Sequence, residues 1–390
     1  MSEWVECTIS DIGTVVGGAT PSTKKSENYV DGKIAWITPK DLSTFKGRYI
    51  VSGERNITES GLKSCSTKLL PKNTVLFSSR APIGYIAIAA NDLCTNQGFK
   101  SVIPNENTDP LFLYYLLKFN KDKIESMGSG TTFKEISAKV MKNIKVFVPT
   151  SKSMQKNIAS ILGAIDNKIE LNNSINNNLL QHAQVLYKDW FFDFSPFSTE
   201  GSLPDGWHLG TVGDIIQLHD SKRIPLSGSE RDKMEKVYPY YGATSLMDYV
   251  DNYIFDGIYL LLGEDGTVVN SLGFPILQYV YGQFWVNNHA HIITGKEGFS
   301  VEELYLFFSL TNIKSIVTGA VQQKVSQQNL KKVPAIIPSK EALSAFDNLI
   351  QPIFAQIRNL RDENAHLVDL RDTLLPRLMS GELDVSNIDI

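Results

Sequence analysis

Apolar positions along the chain follow two alternating regimes. Runs such as KIAWIT, TVLFSS and GYIAIAA in residues 1–150, and IYLLLG, HIITG and AIIP in residues 207–338, have the length of buried strands. PLFLYYLLKFNKDKIESMG and SVEELYLFFSLTNIKSIV have the length of helices. After each of these blocks the spacing changes to seven. Ile158, Ile165, Asn172, Leu179 and Leu186 share one register, and Phe346, Ile353, Leu360, Leu367 and Leu374 share another. Each is the seam of a long helix packed on a second helix, about 55 Å in length for roughly 35 to 40 residues. DNKIELNNSINNN carries six asparagines in thirteen positions, a loop-favouring composition, yet its register places it mid-helix with Asn172 on the seam. Pro352 is expected to start or kink the second helix, and Pro376 to end or bend it.

The chain also repeats itself. Trp4, Asp11 and Ile12 match Trp207, Asp214 and Ile215 at an offset of 203, and GTTFKEISAKVMKNIKVFVP matches GAVQQKVSQQNLKKVPAIIP at an offset of 189. The seams align at 188, so Asn172 takes the place of Leu360 and Asn176 that of Asn364. The predicted fold class is α+β: two globular α+β units, each with a twisted sheet, joined by two long antiparallel helices as a coiled-coil spacer, in a pseudo-two-fold internal duplication. The predicted boundaries are a first unit at 1–150, a central helix at 151–194, a linker at 195–206, a second unit at 207–338, a C-terminal helix at 339–380 and a tail at 381–390.

The polar segments between strands carry the candidate chemistry. In the first unit they contribute Thr38 and Lys40, then Ser78, Ser79, Arg80 and Gly84, then Thr95, Asn96, Gln97 and Lys100, and lastly Thr131, Thr132 and Lys134. In the second they contribute Tyr241 and Gly242, then Asp265, then Asn287, Asn288 and His289, and lastly Gln322, Gln323 and Lys324. Such side chains reach base edges and phosphates, and glycine admits close approach. Eight such loops in corresponding places of two copies point to a binding surface rather than to ordinary turns.

Charge modifies this picture. The net charge is −4, but residues 1–150 hold 19 Lys and Arg against 14 Asp and Glu, a balance of +5, leaving −9 for the rest. Contact with phosphates would be local to patches. Cys7, Cys65 and Cys94 are too scattered for a disulfide framework or a structural zinc site. No window has the roughly 18 apolar residues of a membrane span, and the expected location is cytoplasmic. Pro204, Asp205, Asp220 and Lys222 fit a PD-x14-DxK nuclease pattern, but the first copy has no matching acidic pair. His289 and His291 lack further ligands at a recognisable spacing, and no phosphate-loop, dinucleotide or serine-hydrolase motif occurs.

IDNKIELNN and LYKDWFFDF at mid-chain, LRDTLLPRLMSGELDVS near the end, and SSRAPIGY, TNQGF and WVNNHAH within the units together resemble the DNA sequence-specificity subunits of type I restriction-modification enzymes. The resemblance implies that each unit is a target-recognition domain reading one half of a split, asymmetric double-stranded DNA site. It implies that the helices fix the half-site spacing and dock two modification subunits, which carry S-adenosylmethionine and methylate adenine. Restriction and motor subunits would use ATP and Mg. This chain would then bind no cofactor and perform no catalysis. Arg80 would pair with guanine, and the amides of Asn96, Gln97, Asn287, Asn288, Gln322 and Gln323 with adenine.

Overall fold

The structure, a computed structural model, describes residues 4–80, 82–130, 134–197, 202–319 and 322–385. The candidates Thr131 and Thr132 lie outside the described residues, as do parts of the expected linker and tail. The chain divides into two compact units, one running to Asn172 and resuming at Asp362, the other spanning Asn173–Arg361. The long helices Lys152–Phe191 and Lys340–Met379 therefore each contribute to both units.

In the first unit, strands order as Gly13–Gly17, Lys100–Pro104, Val75–Phe77, Ile86–Ala89 and Tyr49–Ile50 in one sheet, and Arg55–Ile57, Ile34–Ile37 and Cys94–Thr95 in another. Trp4–Thr8 pairs with Lys145–Pro149. The repeated aspartate explains itself here: Thr8 and Asp11 form a capping box over the short helix Ile9–Ile12, satisfying amides that a helix start leaves bare. The apolar helix Pro110–Phe119 begins at Asp109, whose carboxylate accepts from two backbone amides, and it covers the sheet with Phe112, Leu113, Tyr115 and Leu116. The helix predicted over 110–128 breaks at Asn120, whose side-chain amide donates to the Leu116 carbonyl, and resumes at Lys121–Ser126.

The second unit repeats the plan. Ile216–Leu218, Ala290–Gly295, Tyr259–Gly263 and Leu277–Val280 form one sheet, Leu246–Val250, Tyr238–Tyr241, Gln283–Val286 and Phe255–Asp256 the other, and His208–Thr211 pairs with Pro334–Ile337. Thr211 and Asp214 repeat the capping box. The helix predicted over 300–317 stops at Leu310, where Thr311 turns extended with its hydroxyl on the Phe307 carbonyl.

Within the first unit the two helix segments run antiparallel, Asn157 meeting Val385, Asp166 meeting Arg371 and Asn172 meeting Asn364. In the second, Tyr187 and Phe191 pack on Phe346, and with Trp190, Phe194, Phe197 and Trp207 they make an aromatic cluster. LYKDWFFDF is thus the anchor of the first helix on the second unit's core, and the first part of the expected linker is packed into it. LRDTLLPRLMSGELDVS anchors the other helix through Leu375, Leu378, Met379 and Val385. Its Gly381, at φ +77°, turns against the Trp4 ring where a Cβ would stand 2.8 Å from the indole nitrogen.

Two expectations for the helices need correction. The second long helix does not start at Pro352 and does not end at Pro376, but runs through both from Lys340 to Met379. Each is flanked by buried residues, Ile350 and Phe354 in one case, Leu375 and Leu378 in the other, whose packing overrides the roughly 3 kcal/mol penalty of an interior proline. The strict seven-residue seam is also partial. Ile158, Asn172, Phe346 and Leu360 are buried, but Ile165, Leu179, Leu186, Ile353, Leu367 and Leu374 are only half-buried. A helix of 3.6 residues per turn drifts off a seven-residue repeat, and these helices also bury side chains against the sheets, through Leu162, Ala183, Tyr187 and Ile357.

Candidate nucleic-acid interface

The two units carry the same hydrogen-bonded frame at their polar edges. In the first, the Ser79 amide donates to the Gly98 carbonyl at 2.7 Å, and the Ser79 carbonyl accepts from Ile136 at 2.9 Å. In the second, the Glu264 amide donates to the His289 carbonyl at 2.8 Å, and the Glu264 carbonyl accepts from Val325 at 2.8 Å. Asn96 Oδ1 accepts from the Gly98 amide at 2.9 Å, and Asn287 Oδ1 from the His289 amide at 2.8 Å. These bonds equate Ser79 with Glu264, Arg80 with Asp265, Asn96 with Asn287, Gly98 with His289 and Glu135 with Lys324. Arg80 bridges Glu135 in one unit, and Asp265 pairs with Lys324 in the other.

The decoration of that frame differs. Arg80 is half exposed and lies 3.1 Å from Glu135 through Nε, while Lys100 approaches the same carboxylate at 3.4 Å. Burial pushes the Glu135 carboxyl up, but the bonds and charges of Arg80 and Lys100 outweigh it and hold the carboxyl below its usual range. Gln97 is exposed and accepts from the Thr20 hydroxyl. Lys40 is exposed and paired with Glu54 at 2.8 Å, and Lys134 is exposed.

Several first-unit candidates serve the frame. Ser78 and Ser79 are buried, the Ser78 hydroxyl accepting from the Tyr85 amide and donating to the Pro82 carbonyl. Thr95 is buried, and the Asn96 side chain is committed to its turn. Thr38 caps the helix Pro39–Ser43 with Asp41, and Gly84 supplies the positive φ that closes the Ser78 loop.

In the second unit, Asp265 Oδ1 lies 2.6 Å from His289 Nδ1. Both line an open cavity of about 430 Å3 with Gly242, Thr244, Met247 and Asn287. Asn287 is buried and acts as a turn-former, Asn288 is exposed, and Gln322 and Lys324 are exposed beside a half-buried Gln323. Burial raises the half-buried Tyr241 hydroxyl above its ordinary pKa.

Behind this edge Asp220 and His291, weighed above for other roles, join Arg223 and Glu264 in one charged network. Arg223 donates to Glu264 at 2.6 Å and to the carbonyls of Ala290 and Asn288. The buried Asp220 accepts from Gln327 and the Ile292 amide and lies 2.6 Å from His291 Nδ1. Burial works against its charge, but these partners hold its pKa below the ordinary value. Asp220, Glu264 and His291 offer ligand atoms within 4.8 Å of one another. The Arg223 guanidinium already lies against both carboxylates, and the other His291 nitrogen is 2.7 Å from the Val325 carbonyl. The trio is thus built as an ion-pair network, and the Asp220 of the nuclease pattern belongs to it. Arg223 and Glu135 were missed because single charges in loops carry no periodic signal.

Comparison with known proteins agrees with the duplication. The model of the type I restriction modification DNA specificity domain matches residues 1–181 and 204–363. The chain is 33% identical to the type I restriction enzyme MjaIX specificity subunit of Methanocaldococcus jannaschii, over 99% of this chain and 95% of that one. It is 23% identical to the EcoprrI specificity subunit of Escherichia coli, over 90% and 89%. The crystal structure of a type I restriction-modification S subunit from M. genitalium shares the fold, with a TM-score of 0.59 and 19% identity over 99% of this chain and 97% of that one. The chain belongs to the type I restriction-modification DNA specificity family.

Proposed function

We propose that this chain chooses the DNA sequence for a type I restriction-modification enzyme and carries no catalytic group or cofactor of its own. Each recognition domain reads one half of a split site, and the paired helices set the spacing and dock two modification subunits. Those subunits bring S-adenosylmethionine for adenine methylation, and motor subunits bring ATP and Mg for restriction. Among the described residues no helix is long and apolar enough to cross a membrane, in keeping with a cytoplasmic partner of DNA.

One observation carries this reading: the two units present different side chains on the same hydrogen-bonded frame, Arg80 and Gln97 on one edge, Asp265 and His289 on the other. A spacer protein has no need of two decorated edges, whereas a reader of an asymmetric site does. Two readers joined by a fixed spacer meet half-sites about one helical turn apart, roughly 34 Å, on one side of the duplex.

Methylation-sensitive sequencing of DNA from cells carrying this chain and its modification partner should return a split, asymmetric motif. Exchange of residues 1–150 for another recognition domain should change one half of it only. Lengthening each long helix by four residues, about one turn, should change the gap between the halves. Methylation without sequence preference would overturn the reading.

A further inference from the structure

The matched frames allow a base-level assignment, which rests on the function proposed above. Arg80 and Asp265 occupy one position of the frame, yet their charges are opposite. The residues around them have changed in step. In the first unit Glu135 holds the Nε of Arg80, so the two terminal nitrogens of its fork remain for a guanine edge. The equivalent of His289 there is Gly98, where a Cβ would stand 2.8 Å from the Pro39 ring, so the first frame carries no side chain at this position. In the second unit the equivalent of Gly98 is His289, whose ring bonds one oxygen of Asp265 at 2.6 Å. Lys324, the equivalent of Glu135, lies 3.5 Å from Glu264, not against Asp265. Asp265 lines the open cavity, and among the described residues its one side-chain bond is the one to His289 through Oδ1.

An aspartate at a DNA edge is a poor phosphate ligand, because both carry negative charge. What suits it is the exocyclic amine that cytosine or adenine presents in the major groove. We propose that Asp265, oriented by His289, is the specificity-determining acceptor of the second recognition domain. It reads a base amine from the frame position at which Arg80 reads guanine in the first.

The test uses the full chain with its modification partner and randomised duplexes, with methylated products sequenced. Asp265→Asn should lower discrimination at one base pair of one half-site by roughly 5- to 150-fold, and that base pair should be one whose wild-type base bears an amine. His289→Gln keeps the carboxylate but removes the ring that orients it, and should weaken discrimination at the same base pair. If both variants methylate with the wild-type preference at every position, or lose activity equally on all sequences while melting like the wild type, the assignment is overturned. If Asp265→Asn does not fold, His289→Gln alone decides. A wild-type complex that shows no split preference would instead overturn the function on which the assignment rests.

Discussion

Asn172, fully buried in the first long helix, donates from Nδ2 to Asn364 Oδ1 of the second helix at 2.9 Å, and to Glu363 at 2.8 Å. Its own Oδ1 has no partner among the described residues. A buried amide that is half satisfied loses stability but admits one alignment of the helices, as a polar residue in a coiled-coil seam does. Asn172→Leu should therefore raise the stability of the first unit by about 1 kcal/mol, because Glu363 keeps Lys168 at 3.3 Å. The same change should broaden the spacer lengths that are methylated. A lower melting temperature with an unchanged spacer would refute the idea.

Asp166 is a buried charge of that unit. It accepts from Arg371 at 2.9 Å and from the Tyr115 hydroxyl at 2.6 Å, tying both helices to the recognition domain. Arg371→Met leaves a buried carboxylate with a single hydroxyl donor and should cost about 3 kcal/mol. Combining it with Asp166→Leu should recover much of that loss, since no buried charge then lacks a partner. Thermal unfolding of the two singles and the double gives the coupling, and an additive double would contradict it.

These contacts mark how far the sequence was legible. The repeat, the long helices and the family motifs could be read because they are periodic or duplicated. Asn172 was placed on the seam by its register, and Asn364 is the partner it meets. The continuation through Pro352 was not legible, because the packing of Ile350 and Phe354 that overrides it is tertiary. At the polar edges of the two units, loop residues of the same type divide by geometry that composition does not encode. Ser79 and Asn287 are buried in the frame while Arg80 and Asn288 stand outside it.

Glu303 makes the second unit sensitive to pH. It is fully buried at the start of the helix Val301–Leu310, and burial pushes its pKa up to about 8 despite the Ser300 amide that bonds it. The folded state thus holds a proton that the unfolded state releases near pH 4.5, so this contribution is complete below about 4.5 and is lost as pH rises through 8. At roughly 1.4 kcal/mol per pH unit, the full effect is on the order of 3 to 5 kcal/mol. Glu303→Gln keeps the capping geometry and removes the titration. Its melting temperature relative to wild type should be flat below pH 4.5 and climb steadily to pH 8. A constant difference across that range would disprove the assignment.

Arg223 ties together the polar edge of the second unit. Its guanidinium joins Glu264, which precedes Asp265, to the carbonyls of Asn288 and Ala290, which bracket His289. Arg223→Met fills the same space but leaves Glu264 and Asp220 without their shared cation, and Lys324, at 3.5 Å from Glu264 and half exposed, replaces only part of it. The expected loss is about 3 kcal/mol, confined to the second unit. Hydrogen exchange should then quicken at the Glu264 and Ala290 amides while the amides of Val75–Phe77 keep their protection. Because the whole edge loosens, discrimination should fall at several base pairs of one half-site, in contrast to the single position affected by Asp265→Asn. Unchanged exchange at Glu264 would show that the backbone frame holds the edge without the arginine.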